Sequence, residues 1–419
     1  MVLINSLLGG DQGILPILLN MALLLAFFAF LPRLMIWRSM RKIETSMETL
    51  REHAGAAEGM FLEAAGMEAT EENRQRLASM KNMVVSEPVG IDPAGLVDKL
   101  EHLLDLSEDK MDRFVTRLAD DLDEEEAADL QMAFKGVYGS HQLFVLIRHF
   151  RELIGNMQNY QLAGMVQMML PLYEEIAESQ RAATEAFVEE VPVGDSVGPL
   201  VAAKFMSGDA DELAEDVIVS AEEVADTEVY VLKSKGPGAR LGKYGDAIEQ
   251  VVEENDISKI LFVDAGMRFE GEETGQVVDG AGVLMGGPGV EKYKIEEVAT
   301  EHDIPFDGFI VKQSGPEASR PMHSKIYDAV PEAVDRVQAE IEEADGPLLL
   351  VGVGNTVGVG NTKQSTTGIP AKLKPYWAEE DEETTSYYGL MAAFPMGGGG
   401  DAHGIDAQST FDLFRRIVR

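Results

Sequence analysis

The sequence predicts an α/β protein with an N-terminal transmembrane helix, a helical stalk and bundle, and then a mostly parallel α/β sheet domain. Three observations predict this fold class. An uncharged apolar run lies near the N-terminus, and residues rich in Leu, Met, Ala and Glu with helical periodicity fill the middle of the chain. After Glu190, short Val- and Ile-rich runs alternate with helical stretches. Such alternation is typical of a parallel sheet covered by helices.

The first element is the apolar run from Gln12 to Pro32, which predicts one membrane-spanning helix over residues 14–36. A helix that crosses a hydrocarbon core of about 30 Å needs about 20 mainly apolar residues. The basic residues that follow the run are Arg33, Arg38, Arg41 and Lys42. Because basic residues favour the cytoplasmic side, we expect a single-pass protein of the cell membrane. Residues 1–13 would lie outside and the bulk of the chain in the cytoplasm, with a buried core helix as the alternative.

The composition limits the partners beyond the lipid bilayer. Asp and Glu number 73 against 35 Lys and Arg, which gives a formal net charge of −38. Acidic residues spread along the chain are typical of adaptation to high salt, where ions screen their repulsion. The same charge argues against nucleic acid as a partner, because phosphate backbones need a basic surface. The lack of cysteine excludes thiol nucleophiles and thiolate metal sites.

Residues 38–85 predict a helical stalk, because apolar or small residues recur at spacings of three and four from Met40 to Ala64. Alanines and two glycines weaken this seam. It can therefore pack on the protein's own helices, or it can form a homo-oligomer or bind a protein partner. Residues 92–190 predict a helical bundle, with helices over 95–106, 110–122, 127–150 and 160–188.

Residues 191–376 predict the α/β domain, which begins with a Pro- and Gly-containing linker, and residues 377–419 predict a Gly-rich C-terminal segment with a short helix. The predicted strands are Ala214–Val219, Glu228–Leu232, Lys259–Val263, Gly282–Met285, Gly308–Val311 and Pro347–Val353. The predicted helices between them are Tyr244–Glu254, Ile295–His302 and Pro331–Ala344. Ligands of parallel sheets bind at the carboxyl ends of the strands, so we expect any site in the loops that follow them.

The hexapeptide VGVGNT occurs twice in succession, over Val351–Thr362, and we call this stretch the tandem loop. Glycines permit positive φ angles and let backbone N–H groups approach an anion. The predicted ligand-binding residues are Gly352, Gly354, Asn355, Thr356, Gly358, Gly360 and Asn361. Phosphate or a nucleotide is the candidate ligand, although neither a dinucleotide fingerprint nor a Walker sequence is present. A structural glycine turn is the alternative.

Two further loops are candidates for binding an anion. Gly286, Gly287 and Gly289 stand between a predicted strand and a helical stretch, where a plain strand-to-helix connection is the alternative. The segment from Lys312 to Lys325 is the most basic part of the soluble region. Lys312 and Arg320 would supply counter-charges for the ligand, and His323 a general acid or base.

The carboxylates after the predicted strand Lys259–Val263 suggest different chemistry. Asp264, Glu270 and Glu272 are candidate ligands of a divalent metal such as Mg²⁺. Asp264 and His323 are then the candidate catalytic residues of a metal-assisted hydrolase. Because clustered carboxylates are common in so acidic a chain, a solvated loop is the alternative, and the sequence leaves enzymatic activity open.

Taken together, the N-terminal span, the helical middle, the segment FEGEETGQVVDGAGVLMGGPGVEKYKIEEVATEHDIP and the tandem loop resemble an archaeal membrane-protein family classed as domain of unknown function number 1512. The resemblance covers nearly the whole chain. It implies an archaeal integral membrane protein and transfers no catalytic residue. Our preferred hypothesis is a membrane-anchored cytoplasmic protein that binds a small anionic ligand or nucleotide at glycine-rich strand-end loops. The alternatives are a metal-assisted hydrolase and a non-enzymatic membrane scaffold.

Overall fold

The computed structural model describes residues 14–68, 70–81, 96–119, 122–208, 210–269, 271–283, 285–286 and 289–378. These residues form two compact units. The first holds the described residues up to Glu52 together with His141–Glu175, and the second holds His53–Ser140 and the chain from Ile176 onward. The predicted extracytoplasmic residues 1–13 and the short helix predicted near the C-terminus lie outside the described residues.

Helix α1, Ile14–Ala64, exposes a mainly apolar stretch on all sides over residues 18–28. Leu25, Phe28 and Phe30 are 63%, 62% and 68% exposed. Within the described residues, α1 is the one helix long and apolar enough to cross a membrane. A helix that exposes apolar side chains all round is suited to lipid rather than to water. The prediction of an apolar N-terminal helix of membrane-spanning length is therefore confirmed.

Beyond Pro32, α1 buries a single stripe of residues at spacings of three and four. The stripe consists of Ile36, Ser39, Ile43, Ser46 and Leu50. It packs within the first unit, where Ser39 Oγ donates to Gln167 Oε1 at 2.8 Å and Arg151 lies 3.2 Å from Glu44. Of the seam predicted from heptad spacing, Ile43 and Leu50 are buried here, whereas Met40 and Met47 are half-buried and Ser39 and Ser46 take their places in the stripe. Association with a partner through this region stays a prediction.

The helical region continues with α2, Glu71–Lys81, α3, Leu96–Leu118, α4, Glu124–Met157, and α5, Tyr160–Val188. The division of α3 into two predicted helices is wrong, because the residues between them include neither Gly nor Pro and the helix runs through. Helix α5 has the predicted bounds. Helix α4 starts three residues earlier than predicted, because the Asp123 carboxylate accepts the N–H groups of Glu125 and Glu126 and caps it.

The second unit contains a seven-stranded sheet in the order β1-β2-β3-β7-β4-β6-β5. The strands are β1 Asp211–Ala214, β2 Val217–Val224, β3 Thr227–Ser234, β4 Lys259–Met267, β5 Val277–Ala281, β6 Phe306–Gln313 and β7 Leu348–Gly352. The central strands β3, β7, β4 and β6 are parallel, and β1, β2 and β5 add antiparallel edges. The predicted α/β class is confirmed, with a mixed sheet whose parallel strands lie at its centre.

Two predicted strands are wrong. Ala214–Val219 spans the turn of the β1–β2 hairpin, where Asp216 has φ of +60° and no glycine marks the turn. Gly282–Met285 is not a strand, because Gly282 has φ of +99° and leaves the extended conformation. The edge strand β5 lies just before it and pairs antiparallel with β6.

Helices cover both faces of the sheet. Helices α7, Tyr244–Glu254, and α8, Val290–Glu301, pack on one face. Helices α6, Val197–Ala203, and α11, Val330–Glu342, pack on the other face. Two short helices, α9, Gly315–Ser319, and α10, Ser324–Asp328, lie between β6 and α11 in the chain. From β4 the chain passes through the edge strand β5 to α8, and from β6 it passes to α11 on the opposite face of the sheet. That arrangement makes the carboxyl ends of β4 and β6 the topological switch point of the sheet.

Candidate functional site

The candidate site is the carboxyl edge of the parallel strands in the second unit. Strand β4 pairs with β6 as far as Met267 and Gln313, and with β7 as far as Val263 and Gly352. The sequence predicted Asp264 and Lys312 in loops after their strands, but β4 and β6 run further than predicted. Asp264 therefore lies within β4 and Lys312 near the end of β6, at the same edge of the sheet as the start of the tandem loop. The loops at this edge differ in which groups pack against them.

The tandem loop is mostly buried and packs against the protein's own backbone. Gly354 has φ of +135°, and a Cβ added there would lie 1.9 Å from the carbonyl oxygen of Asp195. A Cβ at Gly352 would lie 2.5 Å from the carbonyl oxygen of Gly198 in α6. Added Cβ atoms would likewise meet Glu190 at Gly358 and Ser365 at Gly360. Close backbone packing accounts for these glycines independently of any ligand.

The polar side chains of the tandem loop are bonded within the domain. Asn355 Oδ1 accepts the Val357 N–H at 2.9 Å, and Thr356 Oγ lies 2.7 Å from the Gly238 carbonyl. Asn361 binds both backbone groups of Gly236 at 2.8 Å. These bonds tie the loop to the segment after β3. Ligand binding by the loop stays a prediction, because each side chain also has this structural role.

A buried charge network joins the loop after β3 to the start of α4. Lys233 is fully buried, and its Nζ donates to the Ser234 carbonyl and to Asn361 Oδ1, each at 2.8 Å. Burial lowers the pKa of Lys233 to about 7. Asp129 accepts the Ala239 N–H at 2.8 Å, and burial raises its pKa to about 8.

Arg240 completes this network. Its buried guanidinium pairs with Glu125 and lies 3.0 Å from Asp216 and 3.3 Å from Glu124. Removing one partner of such a pair would leave a buried charge uncompensated. The network therefore fixes the loop after β3 against the helices, which in turn supports Asn361 and the tandem loop.

The metal and catalytic candidates occupy different surroundings. Asp264 is buried, and its Oδ1 accepts the Ala265 N–H at 2.7 Å. Glu272 is half-buried and pairs with Lys312 at 3.1 Å. The Phe269 N–H and then Lys312 lower the pKa of Glu272. Glu270 lies outside the described residues. Among the described residues, no group of three or more His, Asp and Glu is arranged to hold a metal ion.

The other predicted anion-binding residues have local structural roles or open surroundings. Arg320 pairs with Glu178 at 3.3 Å, and His323 caps α10 by accepting the Lys325 N–H at 3.1 Å. Gly289 caps α8 with φ of +85° and has open space around it. Gly286 is half-buried, and Gly287 lies outside the described residues.

The end of β6 contains a polar cluster in which the predictions named Arg320 but not Ser196, Gln313 or Glu317. We call it the β6-end cluster, and it consists of Ser196, Arg268, Gln313, Glu317 and Arg320. Gln313 is fully buried, and neither atom of its amide has a hydrogen-bond partner among the described residues. The Ser196 hydroxyl and the Nε atoms of Arg268 and Arg320 are also buried without a hydrogen-bond partner among the described residues. Arg268 Nε forms an ion pair with the Glu317 carboxylate, but at 3.6 Å the contact is too long for a hydrogen bond.

These groups converge at the switch point. A Cβ added to Gly194 would lie 2.5 Å from Gln313 Oε1 and 2.2 Å from the Glu317 carbonyl oxygen, and Gly194 N donates to the Arg320 carbonyl at 3.1 Å. A buried polar group without a partner costs about 1–3 kcal/mol, so a concentration of them requires a physical reason. Together Ser196, Arg268, Gln313 and Arg320 offer donors on four side chains at the place where sheet ligands bind.

Comparison with known families gives two adjacent matches along the chain. The model described as "Protein of unknown function (DUF1512) N-terminal domain" matches residues 17–190, and "Domain of unknown function (DUF1512) C-terminal" matches residues 193–360. The chain belongs to the DUF1512 family. No curated protein and no solved structure matches it.

For some of the residues that the predictions missed in this DUF1512 chain, the sequence does contain a usable pattern. Lys233 continues the inward-facing positions Val229 and Val231 of β3, so strict alternation places it inside the sheet. On β6, the same alternation from Phe309 and Val311 places Gln313 inside the sheet. Ser196 lies in the linker before α6, where no periodic pattern applies.

Proposed function

We propose that this DUF1512 chain is a single-pass protein of the cell membrane, with residues 1–13 outside and the bulk of the chain in the cytoplasm. The exposed apolar start of α1 supports the crossing. The cations Arg33, Arg38, Arg41 and Lys42 all lie on one side of it, which supports the orientation. Trp37 is exposed at the same end, where aromatic residues of an interfacial belt lie.

The lack of cysteine makes this topology directly testable. Ser6→Cys and Ala56→Cys each introduce one thiol, before and after the apolar stretch. A membrane-impermeant maleimide should label Ser6→Cys on intact cells and Ala56→Cys only after lysis. The reverse labelling would contradict the orientation, and extraction of the protein by carbonate would contradict the anchor.

The α/β domain, in our proposal, binds a small anionic ligand at the carboxyl ends of β4 and β6. The observation that carries this proposal is the buried Gln313 side chain, whose amide has no partner among the described residues, at the switch point of the sheet. Arg268, Lys312 and Arg320 stand at the same end in a chain of net charge −38. A phosphate-bearing ligand, such as a nucleotide or a phosphorylated metabolite, fits these donors.

The carboxylates at this end differ in how firmly they are held. Glu317 is mostly buried and accepts bonds from Ser314 N at 2.6 Å and Thr274 Oγ1 at 2.7 Å. Glu272 is half-buried, more exposed than Glu317, and is held by its ion pair with Lys312. An anionic ligand can therefore replace Glu272 on Lys312 while Glu317 stays in place. Lys312 and Gln313 point to opposite faces of β6, so the ligand would lie across the end of the strand.

Calorimetric titration of the full-length protein in detergent tests this proposal. The titrants are inorganic phosphate, nucleotides and phosphorylated sugars, each with and without Mg²⁺. Lys312→Met should weaken binding at least tenfold, about 1.4 kcal/mol. Lys259→Met is the matched control, because Lys259 is also ion-paired, 2.6 Å from Glu340, at the opposite edge of the sheet. Equal affinity of the two variants would contradict the site.

A second candidate function, a membrane scaffold without a ligand, is favoured by the packing of the tandem loop. The protein's own backbone fills the space around its glycines. This function requires that no compound in the panel bind and that the full-length protein form a defined oligomer or complex. A monomer measured by light scattering in detergent would count against it. The hydrolase hypothesis requires that Asp264→Asn abolish Mg²⁺-dependent turnover without unfolding the protein.

A further inference from the structure

A groove lies between α1 and α5 just beyond the apolar part of α1, within the first unit. Arg41, Lys42, Thr45 and Ser46 line it from α1, and Gln167 and Glu174 line it from α5. The register of the two helices is set by the bond of 2.8 Å from Ser39 Oγ to Gln167 Oε1. The inference drawn from this groove rests on the proposed membrane crossing.

The height of the groove matches the headgroup layer of a bilayer. Trp37 is the last large exposed apolar residue of α1. Arg41 follows four residues later, which is about 6 Å along a helix. The polar region of each leaflet is about 5–7 Å thick. If Trp37 marks the end of the hydrocarbon, Arg41 and Lys42 lie at the level of the lipid phosphates.

The two cations of the groove have no carboxylate partner in the described part of the chain, despite the acidity of the protein. The guanidinium carbon of Arg41 lies 4.2 Å from the centre of the Trp37 ring, which orients Arg41 and leaves its N–H groups as donors. Gln167 uses its amide oxygen to accept from Ser39, so its NH₂ group is also a donor. Glu174, the acidic residue of the groove, forms no ion pair with either cation.

The groove occupies one face of α5. Its lining residues on that helix are Gln167, Leu170, Pro171 and Glu174, at helical spacing. The exposed residues Met165, Met168 and Leu172 point away from the groove, because 3.6 residues per turn place them roughly 100° or more round the helix. The groove residues alone therefore recognise a bound ligand.

We propose that this groove binds the headgroup of an anionic phospholipid. Arg41 and Lys42 hold the phosphate, and Gln167 donates to it. The groove thereby fixes the first unit at the inner surface of the membrane in addition to the crossing helix.

Native mass spectrometry of the full-length protein, titrated with phosphatidylglycerol or phosphatidylcholine, tests the proposal. The wild type should retain phosphatidylglycerol preferentially. Arg41→Gln/Lys42→Gln should weaken that retention about 30-fold, from the usual contribution of two cations near a membrane surface. Arg33→Gln/Arg38→Gln removes the same charge outside the groove and should have a much smaller effect.

Three results would overturn the proposal. Equal weakening in both double variants would mean general charge attraction instead of a site. Equal retention of the two lipids by the wild type would remove the anionic preference. Binding of glycerol 3-phosphate as tight as that of phosphatidylglycerol would identify a soluble phosphate ligand. Carbonate extraction of each variant separates these outcomes from failure of the membrane anchor, which would release the wild type as well.

Discussion

Replacement of Gly354 by alanine is expected to destabilise the α/β domain strongly. A φ of +135° lies in a region that side chains other than hydrogen rarely adopt, and holding a residue there costs about 1–3 kcal/mol. The added Cβ would also lie 1.9 Å from the Asp195 carbonyl oxygen, far inside van der Waals contact. Moving buried backbone to relieve such overpacking costs about 1–3 kcal/mol more. The expected loss is about 2–6 kcal/mol, a large part of typical domain stability.

Urea unfolding measures this loss through Trp377, whose Nε1 donates to the Met322 carbonyl at 2.9 Å in the second unit. A Trp37→Phe background leaves Trp377 as the sole tryptophan. Gly55→Ala in α1 is the control, because a Cβ there meets nothing within 4 Å and alanine favours helix by about 0.5–1 kcal/mol. A Gly354→Ala protein as stable as the parent would refute the packing explanation. If it also lost ligand binding, the tandem loop would be the ligand site.

Three further outcomes follow from charge and burial. Burial raises the pKa of Asp129 from 3.8 to about 8, so its contribution to stability is present below pH 4 and lost as the pH rises through about 8. Asp129→Asn should therefore reduce the pH dependence of the unfolding midpoint between pH 5 and 8. An unchanged pH profile in this variant would contradict the pKa shift. Because ions screen the repulsion of a net charge of −38, the melting temperature should rise as KCl increases from 0.1 to about 2 M, and a fall would contradict this. Phe28→Arg places a charge in the exposed apolar part of α1, which costs about 2.5–3.5 kcal/mol in a membrane. The fraction of protein recovered in membranes should therefore fall. Glu63→Arg, at an exposed position of the same helix in the second unit, should leave that fraction unchanged.

Local patterns were sufficient to predict much of the fold. Helix α5 and helix α7 have the predicted bounds, because their apolar residues recur with helical period between clear ends. The hairpin of β1 and β2 escaped prediction, because Asp216 adopts a positive φ that glycine usually marks. Strand β5 was not predicted either, because Asp279 and Gly280 interrupt the apolar residues of this edge strand.

The candidate site was less predictable, because its determinants are distant in sequence. Glycine density in the tandem loop suggested a surface open to an anion, but the Asp195 carbonyl, about 160 residues away, occupies the space beside Gly354. The burial of Lys233 follows from strand alternation, whereas its partner Asn361 comes from another loop. Gln313 could be placed inside the sheet, but its unpartnered amide depends on how the linker around Gly194 packs against β6.

The central claim is that an anionic ligand binds at the carboxyl ends of β4 and β6 of a membrane-anchored protein. The most direct test is the calorimetric titration of full-length wild type, Lys312→Met and Lys259→Met with phosphate-bearing compounds. We expect at least one compound to bind the wild type and Lys259→Met alike, with at least tenfold weaker binding to Lys312→Met. Binding that Lys312→Met retains in full, or no binding by any compound, would contradict the claim.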